Sequence, residues 1–333
     1  MPDSLVYYIA KNPTTWKMYQ KMVKTCKYFF IKNPILVIDQ RLCLSIARSY
    51  YYKYEPTFIQ TPYDIKQTKS KLWIAHDLTV GYSVIAETKY PNFLTSIIPK
   101  LYRCDVRVLS LHNQVISYFD LPLLTSSAEK VYFNQVVVKH KDGSSVEVQK
   151  IVEIASNATR IHIAHPTITT ETMEKLLKIP HFLSLRDFAI ENVPQVFDME
   201  AFYAHMKKNK ATIFHLFFDE SISDAYMKRL DEITDEIIAT KEFDYEPVLF
   251  RFRGLDDERE KKLNDIYLFG KKNFKLSKNK TTIFHLFFDK SISDEYVKRL
   301  DEIVDEIIAT KEFDYKPALF GFRGLDYQRR IKL

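Results

Sequence analysis

Glycine is scarce in this chain. Its 333 residues include six, Gly81, Gly143, Gly254, Gly270, Gly321 and Gly324, where average usage would give roughly 23. Loops that cradle phosphate need clustered glycines, so that backbone N–H groups can close on the anion. The one close pair, Gly321 and Gly324, is not such a cluster. The shortage excludes a dinucleotide fingerprint and a P-loop, and with them most nucleotide-using enzymes. Cysteine is scarcer still. Cys26, Cys43 and Cys104 are far apart and odd in number, so no disulfide framework follows and a reducing compartment, cytoplasm or nucleus, is expected. Long apolar runs are missing too. A stretch such as Ile35-Leu36-Val37-Ile38 falls far short of the roughly 18 residues a membrane span needs. The first thirty residues carry lysines throughout and no apolar block, which predicts no signal peptide and no membrane association.

What is present is an ordinary globular composition, 46% hydrophobic and 28% charged. That supplies a real core, in roughly two domains or one repeat-built body. The formal charge of +6 is concentrated, because residues 1–55 hold nine Lys or Arg against three Asp or Glu. Lys17, Lys21, Lys24 and Lys27 recur at helical spacing and form one stripe, with Met18, Tyr19, Met22, Val23, Cys26, Phe29 and Phe30 on the other faces. Three readings fit such a stripe: a solvated face, docking onto an acidic protein, or phosphate binding on nucleic acid or membrane. No second basic patch supports the nucleic-acid reading.

Turn residues divide the head. Asp3 or Ser4 caps a helix to about Lys11, and Asn12-Pro13 stops it. A second helix is expected from Thr14 to about Lys32. Asn33-Pro34 breaks it, and Ile35 to Arg48 reads as a third helix or a strand–helix piece. Residues 1–47 then make a three-helix module that is marginal alone and leans on its surroundings.

Within it, Met1-Pro2-Asp3-Ser4-Leu5-Val6-Tyr7-Tyr8-Ile9 is followed by Val23-Lys24-Thr25-Cys26-Lys27-Tyr28-Phe29. This resembles the F-box, with Pro2, Leu5, Ile9, Cys26, Lys27 and Phe29 at fitting positions. It departs in having Met1 for a leading Leu and in separating Val23 from Cys26.

Residues 48–70 read as a connector and 71–263 as the body. Strand-like runs recur there at Val106–Leu111, Lys130–Phe133, Arg160–Ile163, Leu185–Ile190 and Thr212–Phe217, with first residues 24, 30, 25 and 27 apart. Helix-start signals lie between them, at Ser144-Ser145-Val146-Glu147, at Thr169 and at Ser221–Asp224. A strand plus a helix at this period matches leucine-rich-type solenoids, whose neighbouring units stack and leave one long surface. The expected class is α+β to α/β: a βα-repeat layer or, as the rival, a mixed-sheet domain.

The strongest internal signal is a duplication. Residues 210–263 align without gaps onto 280–333, and 42 of 54 positions are identical. Each copy reads as strand, helix and strand: Ile213–Phe218, Asp224–Ala239 and Val248–Phe252 in the first, with residues 264–279 as a linker. Nearly identical apolar faces lead to three expectations for the second copy: exchange with the first, stacking as an extra unit, or loose packing.

The run Ile233-x-Asp235-Glu236-Ile237-Ile238, followed by Pro247 and Phe252-Arg253-Gly254-Leu255, together with the head, resembles nematode F-box proteins that carry an FTH-type C-terminal domain. The resemblance implies that the head binds a Skp-type adaptor of a cullin–RING ubiquitin ligase and that the body captures a protein for ubiquitin transfer. On this reading Pro2, Leu5, Ile9, Val23, Cys26 and Phe29 form the adaptor contact and its core. The lysine stripe then steers the head toward an acidic partner, raising on-rate more than affinity.

Catalytic and metal chemistry finds little support. His162 and His165, three apart on a strand, face opposite ways. His215 and His285 are copies of one position, without Cys or carboxylate at ligand spacing. Asp231-Glu232 and Asp235-Glu236 with Lys228 and Arg229 read as a salt-bridged helix face. Cys26 is expected on the apolar side of its helix, as packing. The expectation is a non-enzymatic adaptor without metal or cofactor. A protein-interaction or structural repeat protein with no ligase link is the alternative.

Overall fold

Alternation of apolar and polar residues sets the strands of the body. In Arg160–Ala164, Ile161 and Ile163 are buried while Arg160 and His162 are half-buried on the opposite face. The same alternation recurs in neighbouring strands and builds parallel sheets. The computed structural model describes residues 3–44, 68–81, 93–241, 243–269, 285–287 and 319–321. Residues 1–273 form one unit and 274–333 another.

The chain opens with helices α1 (Asp3–Lys11), α2 (Trp16–Thr25) and α3 (Lys27–Lys32), then strands β1 (Ile35–Ile38), β2 (Leu42–Leu44), β3 (Lys71–Ile74) and β4 (Asp77–Val80). Next come α4 (Phe93–Ile97), β5 (Leu101–Cys104), β6 (Val108–His112), β7 (Val115–Ser117), α5 (Leu121–Thr125), β8 (Lys130–Asn134) and β9 (Val137–Lys139). Then follow α6 (Val148–Ile154), β10 (Arg160–Ala164), α7 (Thr172–Leu177), β11 (Asp187–Val193), α8 (Met199–Met206) and β12 (Ile213–Phe218). The unit ends with α9 (Asp224–Ala239), β13 (Leu249–Arg251) and α10 (Asp257–Phe269).

The large sheet has eight strands in the order β2-β4-β6-β8-β10-β11-β12-β13, which is chain order. Every pairing in it is parallel. A three-stranded parallel sheet, β1-β3-β5, and a parallel pair, β7-β9, complete the unit. The class is thus mixed α/β with mostly parallel strands. Two apolar rows cross the large sheet on its helix-covered side. One runs Leu42, Leu78, Leu109, Val131, Ile161, Phe188 and Phe214, each paired with the next. The other runs from Leu44 through Leu111, Phe133 and Ile190 to Phe250. All are buried in one core. Beyond the second row the backbone turns left-handed at the same register in four successive strands, at Asn113, Gln135, His165 and Asn192 (φ +51°, +52°, +59° and +58°).

The head differs from expectation in two places. The helix foreseen from Thr14 to Lys32 is split, because Cys26 is extended (φ −151°, ψ 124°). Thr15 caps α2 by accepting the Met18 N–H at 3.2 Å. Of the two forms foreseen for 35–48, a third helix or a strand–helix piece, residues 35–44 take strand, as β1 and β2, and 45–48 lie outside the described residues. Ile35, Val37 and Ile38 follow Pro34, and β-branched residues favour an extended chain. Both strands pair with strands of the body, β1 with β3 and β2 with β4, so residues 35–44 belong to the sheets. The helices are held to the small sheet by a cluster of Tyr19, Ile35 and Trp73. The Tyr19 hydroxyl donates to the Asn33 carbonyl at 2.6 Å and accepts the Ile35 N–H at 3.1 Å. The Arg103 guanidinium lies 5.0 Å from the Trp73 ring centre and donates to the Thr14 carbonyl at 3.1 Å.

The first copied unit follows its reading closely: β12 and α9 have the foreseen bounds, and β13 lies within Val248–Phe252. The foreseen linker begins inside a helix, since residues 264–269 are the second half of α10. Asp257, Glu258 and Glu260 in the first turn favour that helix through its dipole. Of the second copy, β14 (His285–Phe287) and β15 (Leu319–Gly321) are described, and they pair in parallel. The connector 48–70 lies outside the described residues except at 68–70, and the remainder of 270–333 lies outside them too.

Candidate functional site

The residues that alternate with the core rows form the open face of the large sheet. Between the two apolar rows, on the opposite side, runs a row of Cys43, Thr79, Ser110, Tyr132, His162, Ala189, His215 and Leu249. The row at the strand starts runs Asp77, Val108, Lys130, Arg160, Asp187 and Ile213. The row at the strand ends includes His112, Asn134, Ala164, Glu191 and Phe217. Small side chains occupy the β2–β6 end of the middle row and rings the centre. The hollow left over β2 to β10 is a cavity of about 420 Å³, lined by Arg41, Cys43, Asp77, Thr79, Arg107, Val108, Ser110, His112, Lys130, Tyr132, Phe133, Asn134, His162 and Ala164.

Its electrostatics are uneven. Asp77 is 2% exposed. Its Oδ2 lies 3.4 Å from Arg41 Nε, and its Oδ1 lies 3.3 Å from His76 Nδ1 and 3.6 Å from Arg107 Nη2. Oδ1 accepts no hydrogen bond in good geometry despite those ionic neighbours. The Lys130 ammonium forms no ion pair or hydrogen bond among the described residues, while its backbone N–H donates to the Arg107 carbonyl at 3.1 Å. Its pKa is pushed down, first by burial and then by the charges of Arg160 and Arg107. Burial raises the Tyr132 phenol and lowers the His112 imidazole. Ser110 Oγ and His112 Nε2 are 3.0 Å apart. Side chains two apart on a strand share a face, so this contact follows from the strand alone. Toward β11 and β12 the sign reverses. His162 Nε2 meets Glu191 Oε1 at 2.7 Å, and His215 Nε2 lies 3.8 Å from Asp187 Oδ1. Tyr267 of α10 covers His215, with ring centres 5.3 Å apart, and burial there pushes its phenol up to about 12.

The head presents a second surface. Lys17, Lys21, Lys24 and Lys27 are all exposed, but the single stripe foreseen is broken: the first three lie on α2, and Lys27 opens α3 beyond the extended Cys26. Leu5 is 45% exposed and Tyr8 64%. Ile9, Val23 and Phe29 are half-buried. Val23 packs against the Tyr19–Trp73 cluster, and Phe29 meets Tyr28 edge-on at 6.0 Å. Cys26 is exposed. This corrects its expected place on an apolar helix face, because the extended backbone at the junction of α2 and α3 turns it outward. Pro2 lies outside the described residues. Leu5, Val23 and Phe29 therefore do not share one degree of exposure: the first is surface, the second largely support.

Residue types and spacing did not single out the open face. Its signal was the polar partner in each alternating strand: Lys130 and Tyr132, Arg160 and His162, Asp187 and Glu191. The foreseen acidic helix face is salt-bridged, but within the helix only by Arg229 with Glu232 (3.0 Å); Asp231 and Asp235 pair with Arg259, Glu236 with Lys207, and Arg229 also reaches Glu200 (2.5 Å). Among the described residues no group of three His, Cys, Asp or Glu side chains is placed to hold a metal ion. No described helix is long and apolar enough to cross a membrane. No protein-family model and no curated protein matches this chain.

Proposed function

We propose that the chain is a non-catalytic recognition adaptor, in which the helical head binds a Skp-type adaptor of a cullin–RING ubiquitin ligase and the body captures a target protein on its open sheet face. The observation that carries this reading is the presence of two unlike surfaces in one unit. The head offers exposed lysines, Lys17, Lys21 and Lys24 on α2 and Lys27 on α3, and exposed apolar side chains, Leu5 and Tyr8, on α1. The body offers a wide, polar and aromatic face whose strands follow chain order, the arrangement of a βα-repeat layer. Four left-handed residues at one register, Asn113, Gln135, His165 and Asn192, support the repeat. The F-box resemblance of the head supplies the ligase link.

The test is a pull-down of purified Skp-type adaptor by the full chain and by a Leu5→Asp/Tyr8→Asp variant. Both positions are exposed, so the variant keeps its fold, which circular dichroism checks. Binding by the parent and loss in the variant supports the reading. Absence of binding by the folded parent rejects the ligase role and leaves an interaction protein without it.

A further inference from the structure

Positive charge and apolar exposure coincide in the head. Residues 4–38 hold six lysines and no Asp or Glu, and none of the six ammoniums forms an ion pair among the described residues. The same stretch holds seven of the eleven large apolar or aromatic side chains that are exposed among the described residues, Ile31 (71%) foremost. The two kinds of side chain share the outward helix faces. On α2, Lys17, Lys21 and Lys24 stand opposite Tyr19, which is buried on the small sheet, and the exposed Met18 flanks Lys21. On α3, Lys27, Phe30 and Ile31 are exposed at i, i+3 and i+4. Lysines also lie against rings, Lys17 over Trp16 at 5.3 Å and Lys32 over Tyr28 at 5.6 Å from the ring centre.

This mixture separates the partners. A protein interface gathers apolar side chains in a core from which charges are depleted. Here a lysine stands within a turn of each exposed apolar side chain of α2 and α3. A protein covering Met18 or Ile31 would therefore strip water from ammoniums as well. A lipid surface makes no such demand. Lysine stems run along the apolar layer and leave their ammoniums at the headgroup phosphates, while apolar tips enter the acyl boundary. Nucleic acid meets the lysines but gains little from Met18 and Ile31, and a second copy of the head would oppose like charges. We propose that the outward faces of α2 and α3 lie on an anionic phospholipid surface, with Met18, Phe30 and Ile31 at the acyl boundary and the lysines on headgroup phosphates. The expectation of no membrane association follows from the lack of long apolar runs, which bears on segments that span a bilayer and not on helices that lie along one. The proposal goes beyond the adaptor reading and does not rest on it.

Co-sedimentation of the full chain with phosphatidylcholine vesicles containing about one third phosphatidylserine tests this. Expected is binding to these and little to phosphatidylcholine alone, weakening as salt rises. Lys21→Glu/Lys24→Glu weakens it roughly tenfold or more, and Ile31→Ser several-fold. Lys139→Glu/Lys141→Glu, the same reversal at two exposed lysines of the body, retains it. A polarity-sensitive dye on Cys26, the exposed thiol, shifts to the blue on binding. Circular dichroism checks the fold of each variant. No binding by the parent, equal binding to phosphatidylcholine alone, an unchanged Ile31→Ser or an unmoved dye overturns the proposal. So does equal loss in the body variant, tighter binding of single-stranded RNA, or displacement by polyglutamate at equal charge, which would assign the lysines to an acidic protein. A Skp-type adaptor pull-down without lipid reads the adaptor role separately, so failure of either leaves the other standing.

Discussion

Arg259 of α10 grips Asp231 of α9, with Nη1 2.6 Å from Oδ1, and its Nη2 also reaches Asp235 Oδ1 at 2.7 Å and the Asp231 carbonyl at 3.0 Å. One guanidinium thus ties the last helix of the unit to two turns of the helix before it. Charge-assisted bonds of this kind are stronger than neutral ones, and partial exposure discounts them. Arg259→Ala is expected to cost roughly 1–2 kcal/mol, seen as a lower urea midpoint. Arg259→Lys recovers less than half, because a lysine cannot bridge both carboxylates in a fork. An unchanged midpoint in the alanine variant would show the contact to be ornamental.

Thr234 is fully buried on α9, and its hydroxyl has no hydrogen-bond partner. The equivalent residue of the second copy is Val304. Valine has the same shape without the hydroxyl. Thr234→Val should therefore stabilise the chain by about 1 kcal/mol, measured as a raised urea midpoint at unchanged slope. A fall in stability would mean that the hydroxyl is satisfied.

At Gly81 the backbone is left-handed (φ +82°), and a Cβ there would come within 2.1 Å of the His112 carbonyl oxygen. Both conditions demand glycine. Gly81→Ala is expected to destabilise by about 3 kcal/mol, and thermal unfolding reads the effect directly. Gly143 has a similar φ, +84°, with open space around it, so Gly143→Ala should cost clearly less.

The three thiols should separate by reactivity. Cys26 is exposed, whereas Cys43 and Cys104 are buried. Burial raises the pKa of both buried thiols, that of Cys104 to about 12, and only thiolates react. Native protein at neutral pH is expected to take up one equivalent of a disulfide reagent quickly and the other two only on unfolding. Rapid uptake that survives Cys26→Ser would contradict the burial of the other two.

Acid should loosen the fold through its histidines. Burial lowers the pKa of His112, His181 and His205, and Lys208 lowers that of His205 further. The unfolded chain then binds protons more readily below about pH 6.5. Stability is full above that pH and falls as the pH drops through it toward the folded values. His205 packs between Phe182 and Phe214, with ring centres 5.8 and 5.9 Å away. His205→Gln should flatten part of the slope in unfolding midpoint between neutral pH and mild acid. Equal slopes in parent and variant would exclude His205 as a contributor.

Much of the fold was legible where strands alternate. Lys130–Phe133 and Arg160–Ile163 matched β8 and β10 within one residue, since Val131, Phe133, Ile161 and Ile163 point one way and their neighbours the other. The helix from Asp224 was legible from Ser223, which caps it by accepting the Tyr226 N–H. Other starts misled. Ser144 was read as a helix cap, yet its N–H and hydroxyl are both held by Asp142 at 2.9 and 2.6 Å in a turn, and α6 begins at Val148. Residues 35–44 stayed open between helix and strand for a different reason. A four-residue apolar run carries no period, and only pairing with β3 and β4 makes it strand. The candidate site was least legible. Lys130 and Asp77 are 53 positions apart in the chain, and nothing local says that they line one hollow.

Chain-order pairing also bears on how such a protein changes over generations. A sheet assembled this way keeps its newest strand at the rim, so copying the final stretch asks no earlier strand to surrender a partner. The copied stretch carries its own instructions as well: His285 pairs with Leu319, and Leu286 with Phe320, in the register that His215 and Leu216 hold with Leu249 and Phe250. Gene duplication at this end is therefore an inexpensive mutation. The copies differ at twelve positions, Thr234 against Val304 among them.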